Sequence, residues 1–130
     1  MSRKTISKMN RQKVYEMYNG HCAYCGKEIE YKDMQVDHLI PVGGYKEQGT
    51  NDMENLMPAC RRCNHYKRAN SLEGFRKLIE TIPQKLERDS YIYRVGVDYG
   101  LVQPIPKEIK FYFEEVGNDN ESIYGSNGLD

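Results

Sequence analysis

No stretch of this sequence carries an apolar run long enough to cross a bilayer, and the opening Met-Ser-Arg-Lys-Thr has no apolar segment behind its charges to act as a signal peptide. The expectation is therefore a cytoplasmic protein with no membrane partner. Tryptophan is absent, so the eleven tyrosines are most of the aromatic surface that could stack on bases, and Tyr91, Tyr93 and Tyr99 serve equally well as core and rim packing. There is no surplus of either charge. Nineteen Lys and Arg balance nineteen Asp and Glu, so the chain as a whole offers little nonspecific attraction to a polyanion. Internal repeats are also lacking, and 130 residues fit one domain with a modest core.

The balance of charge is not uniform. Arg3, Lys4, Lys8, Arg11 and Lys13 make a basic front, and Glu114, Glu115, Asp119, Glu121 and Asp130 an acidic end. Cysteine is scarce but ordered: Cys22, Cys25, Cys60 and Cys63 form two C-x-x-C pairs. In a reducing compartment such pairs are metal ligands rather than disulfides, and four thiolates saturate a tetrahedral Zn²⁺, leaving no open position for water. This zinc is expected to hold structure and not to catalyse.

Along the chain, Val14, Met17 and Tyr18 recur at helical spacing over Asn10–Tyr18, with Asn10 as the cap and Gly20 as the stop. Met34–Val42 is apolar and β-branched in the manner of a strand, with Pro41 restricting it to an edge or an end. Leu56, Met57 and Pro58 suggest a second strand pairing back on the first. A helix over Arg61–Ala69 follows, then one placing Leu72, Phe75, Leu78 and Ile79 on a single face, limited by Pro83. Tyr91–Val102 is ambiguous between helix and strand, whereas Ile109–Glu115 alternates as a C-terminal strand would. From Gly117 onward the composition is that of a disordered acidic tail.

Between and after the cysteine pairs stand C-A-Y-C-G-K, V-D-H-L-I-P-V-G-G, E-N-L-M-P-A-C and C-N-H-Y-K, in that order. In this the chain resembles the HNH endonuclease family in its four-cysteine form, over roughly Gly20 to Lys67. The resemblance implies an α+β fold: a small zinc-stapled ββα-metal core with flanking helices, in one nuclease domain over 1–116 followed by the tail at 117–130. It also implies site residues. His38 would be the general base, Asp37 a ligand of a catalytic Mg²⁺ or Mn²⁺, and Asn55 the residue that holds the hairpin loop so that His38 points correctly. Asn64 stands where many members have histidine and would be the second ligand, with His65 as the alternative should the helix be one residue out of register. The implied reaction is metal-dependent hydrolysis of DNA leaving 5′-phosphate and 3′-hydroxyl ends.

Those residue types suit that chemistry. An imidazole takes a proton from water at neutral pH while a hard cation stabilises charge on the phosphate. One difficulty is visible beforehand: neighbours on a regular strand point to opposite faces, so Asp37 and His38 should sit where the strand bends. Arg61, Arg62, Lys67 and Arg68 cluster near the site helix and are read as phosphate contacts, and His21 receives no catalytic role. Two other functions compete: a zinc-stapled module that binds nucleic acid or protein without cutting, and a subunit of a larger phage or bacterial defence complex. The first would need the cysteines but neither Asp37 nor His38.

Overall fold

The computed structural model describes residues 6–43 and 48–117, so the acidic tail expected from 117 lies, beyond Gly117, outside the described residues. The chain divides into two compact units, one from the described parts of Met1–Ser71 and Lys110–Asp130, the other Leu72–Ile109. Among the described residues no helix is long and apolar enough to cross a membrane.

The first unit begins with α1 (Lys8–Met17). Its cap is Ser7 and not Asn10: the Ser7 hydroxyl accepts the Asn10 N–H at 3.1 Å, which makes Asn10 the third residue of the helix. Asn19 and Gly20, both at positive φ (55° and 79°), end the turn as the glycine suggested. The expected strand over Met34–Val42 is much shorter, β1 at Gln35–His38. A 3₁₀ turn over Tyr31–Asp33 precedes it and the chain bends from Leu39. It pairs antiparallel with β2 (Leu56–Ala59), placing Asp37 opposite Met57 and His38 opposite Leu56. Pro58 is tolerated in β2, and its carbonyl still accepts the Ala23 N–H at 2.8 Å.

Helix α2 (Arg61–Lys67) leaves β2 directly through Cys60. One hydrophobic cluster buries Val14, Met34 and Leu56, with Ile6, Tyr15, Ile29, Val36 and Met53 packed against them, and Ala23, Tyr24, Met57, Ala59 and Phe111 are buried in the same unit. The strand expected over Ile109–Glu115 is absent. The alternation there reflects Phe111 and Phe113 set edge-on to the Tyr24 ring at 5.5 and 6.2 Å, with the Tyr112 and Phe113 N–H groups bonded to the carbonyls of Tyr24 and Ala23. Two such bonds anchor the segment without extending a sheet, and residues 112–117 turn helical.

The second unit is helical: α3 (Leu72–Glu80), α4 (Ile82–Asp89) and α5 (Tyr91–Asp98). Pro83 opens α4 instead of kinking α3, because the first turn of a helix does not use its missing N–H. The ambiguous tyrosine-rich segment is resolved as helix by Ser90, whose hydroxyl accepts the Tyr93 N–H. Arg76 and Glu80 on α3 bind the Ile109 carbonyl and N–H at 2.8 and 2.9 Å.

Candidate functional site

The four cysteine sulfurs lie within 4.8 Å of one another. Thiolates around a tetrahedral ion with bonds of about 2.3 Å stand about 3.8 Å apart, and Cys25 Sγ and Cys60 Sγ are separated by 3.9 Å. The cluster is thus arranged to bind a metal. The first pair sits on a tight turn in which the Gly26 N–H bonds the Cys22 carbonyl at 2.9 Å. Gly26 has φ +83°, and a Cβ there would also strike the Tyr112 ring, so glycine is required twice over. The second pair brackets the start of α2, where Cys60 Sγ accepts the Cys63 N–H. A hydrogen bond from Cys63 draws the Cys22 thiol down to about 4, and the same bond pushes the Cys63 thiol upward. The protons held this way must leave when a metal binds.

Asp37 is 6% exposed. Two donors converge on its Oδ2: the Tyr24 hydroxyl at 2.6 Å and Lys67 Nζ at 3.1 Å. No described residue donates to Oδ1, which leaves that oxygen as a single hard donor atom. Lys67, expected on phosphate, lies instead in the interior with no exposed surface, where Nζ also bonds the His38 carbonyl at 3.0 Å. The reason is electrostatic, since a carboxylate this far from water needs a counter-charge and Lys67 lies on the side of α2 that meets β1. Burial, followed by the neighbouring Asp37 carboxylate, pushes the Tyr24 phenol above its ordinary range, so it remains a donor.

His38 closes β1 and is 7% exposed. Its Nε2 meets Asn51 Oδ1 at 2.7 Å. With the amide oxygen turned toward the ring, the contact is a hydrogen bond only if Nε2 carries the proton, which leaves Nδ1 as the basic nitrogen of the neutral imidazole. As the strand pleat requires, Asp37 and His38 find different partners, and the bend comes one residue later. Asn55 spans the loop beneath. Its Oδ1 accepts the Ile40 N–H at 2.8 Å and its Nδ2 donates to the Ile40 and Thr50 carbonyls at 3.0 and 2.8 Å. Thr50 precedes the residue that holds His38. Gly49 is obligatory here, because any Cβ would fall inside the Ile40 carbonyl group.

Asn64 is half-buried and sits three residues before Lys67, on the same side of α2. His65 is exposed and lines, with Arg61 and Arg62, a cleft of about 930 Å³ that Lys27 and Lys32 also border. Arg68 is exposed at the end of α2, at φ 53°. Sequence reasoning missed Tyr24 and Asn51. Each acts across thirteen residues, and no local pattern marks such a pairing, although Tyr24 does stand inside the first cysteine turn.

Residues 22–70 match the family model described as HNH endonuclease. Among curated proteins, the chain is similar to a CRISPR-associated endonuclease Cas9 of Corynebacterium diphtheriae, 39% identical over 44% of this chain and 5% of that protein. It is similar to an SPbeta prophage-derived protein, YoqL, of Bacillus subtilis, 36% identical over 48% of this chain and 29% of that one. It is also similar to the Septu protein PtuB of Bacillus thuringiensis, 41% identical over 42% of this chain and 21% of that one. The match thus spans less than a third of any of these three relatives.

Proposed function

We propose that this chain, whose residues 22–70 match the HNH endonuclease family model, hydrolyses phosphodiester bonds in DNA, with His38 as general base and a divalent ion held by Asp37 and Asn64. One observation carries the reading: Asp37 and His38 each have one atom tied into the fold and another left for reaction. Asp37 Oδ1 and the Asn64 amide oxygen are hard donors and suit Mg²⁺ or Mn²⁺, whereas the four thiolates suit zinc. When bound, the hard ion stabilises charge on the phosphate and the leaving oxygen. His38 Nδ1 takes the proton from water while Nε2 keeps its own, donated to Asn51 Oδ1, which fixes the ring. Asn55 secures the loop that carries Asn51. The placement of Asn64 beside Lys67 favours it over His65 as second ligand, and residues 1–116 serve as one nuclease domain into which the helices of Leu72–Ile109 are inserted.

The test is supercoiled plasmid incubated with the zinc-loaded protein and Mg²⁺, Mn²⁺ or EDTA. Nicked and linear products should require the added ion, with the zinc still in place afterwards. Full activity in EDTA with zinc retained would remove the second metal from the reaction.

Formal neutrality and relatives named for CRISPR and Septu support a place in a larger phage or defence assembly that supplies further DNA affinity. The chain's own share comes from Arg61, Arg62 and Arg68. Replacing Arg61 or Arg62 with alanine should flatten the slope of log affinity against log salt by roughly one unit for each phosphate no longer neutralised. Slopes equal to wild type in both variants would leave these arginines as solvated surface.

A further inference from the structure

We propose that Tyr24 is a positioning residue for the catalytic ion, and that through it the four-cysteine centre serves the reaction as well as the fold. The proposal rests on Asp37 being a ligand of that ion. Tyr24 stands between Cys22 and Cys25, so a metal on those sulfurs fixes its backbone from both sides. The segment is pinned further by the Ala23 N–H on the Pro58 carbonyl at 2.8 Å and by the Tyr112 N–H on the Tyr24 carbonyl at 3.0 Å. Phe111 and Phe113, edge-on to the ring, leave it little room to rotate. From this frame the hydroxyl reaches Asp37 Oδ2 at 2.6 Å, shorter than the bonds made by Lys67, His38 or Asn55.

The consequence is a choice of oxygen. Tyr24 and Lys67 both bind Oδ2, which sets the carboxylate plane and presents Oδ1 alone, as a one-atom ligand. Lys67 supplies charge from an ammonium shared between Oδ2 and the His38 carbonyl; Tyr24 supplies direction from a ring held edge-on by Phe111 and Phe113. Without the phenol, Asp37 could rotate about its χ2 and offer either oxygen, and a ligand that must be ordered by the ion itself binds it more weakly. Hydrogen bonds of this kind to a metal ligand typically change affinity by about 10–100-fold.

Mn²⁺ binding to the full-length, zinc-loaded protein without DNA tests this, with the free ion read by electron paramagnetic resonance. Asp37→Ala, measured where its melting curve shows it folded because it also leaves Lys67 without its counter-charge, should weaken Mn²⁺ binding severely, and Tyr24→Phe should weaken it about tenfold or more while zinc content is unchanged. A merely structural tyrosine would lower the melting temperature and leave Mn²⁺ affinity alone. In the wild-type protein, Mg²⁺ should also move the proton resonance of the Tyr24 hydroxyl, which needs no variant to fold. Wild-type affinity in Tyr24→Phe beside a weakened Asp37→Ala, or a Tyr24 resonance indifferent to saturating Mg²⁺, overturns the positioning role alone. Equal binding by wild type and Asp37→Ala overturns the ligand assignment and this inference with it.

Discussion

Cys60→Ser will leave a protein that holds almost no zinc and shows no cooperative melt, where the wild type holds about one zinc per chain. Serine is chosen because it isolates the metal. Cys60 is also the cap of α2, accepting the Cys63 N–H, and serine is among the best residues at such a position. What the variant loses is one thiolate of four. Structural zinc sites contribute apparent binding energies of about 10–16 kcal/mol at neutral pH, against net stabilities of about 5–15 kcal/mol for whole domains. Here Cys22 and Cys60, two of the four sulfur ligands, are themselves among the buried residues of the first unit, so part of its core is assembled on the metal centre. Acid should reproduce the effect in the wild type, since falling pH returns protons to sulfurs that must be thiolate to hold zinc. Zinc content by elemental analysis beside the melting curve settles it. A wild type without zinc that still melts cooperatively after strong chelation would contradict the staple.

The parts of this molecule written in contiguous letters were legible. The two cysteine pairs, the strand around Asp37 and His38, the second strand at Leu56 and the helix after Cys60 each have their signal within a few residues. Physical reasons account for the rest. Lys67 reads as one more basic residue on a basic helix, and only the buried Asp37 carboxylate, far back in the chain, turns it inward. Asn51 is an ordinary loop residue until Asn55 and Gly49 fold the loop so that its amide meets His38. Phe111 and Phe113 alternate as a strand would, but their periodicity answers to the Tyr24 ring. In each case a pairing of high sequence separation overrides the local pattern, and the residues involved are those that set the geometry around Asp37 and His38.

His38→Ala should lower cleavage by at least about a hundredfold while zinc content and DNA affinity stay near wild type. His38 is no ligand of the cysteine centre, and on the proposed reading it is no ligand of the hard ion either, so the change removes proton transfer and leaves both metals. The fold should tolerate it. The imidazole bonds Asn51, and without it the loop keeps its three Asn55 bonds to Ile40 and Thr50. An amide oxygen left unpaired costs about 1–3 kcal/mol if water cannot reach it, so rates are to be compared well below the melting temperature. Asp37→Ala should also stop cleavage through weaker metal binding, and its activity should recover in part with excess Mn²⁺; because it also strips buried Lys67 of its counter-charge, its rate is to be read only at temperatures where its melting curve shows it folded. His38→Ala should not recover, because no concentration of ion replaces the base. The contrast separates the two roles and also excludes a module that only binds DNA, which has no cleavage for either change to remove. Should the wild type cut and His38→Ala cut equally well, the base lies elsewhere, and exposed His65 on α2 becomes the residue to replace next.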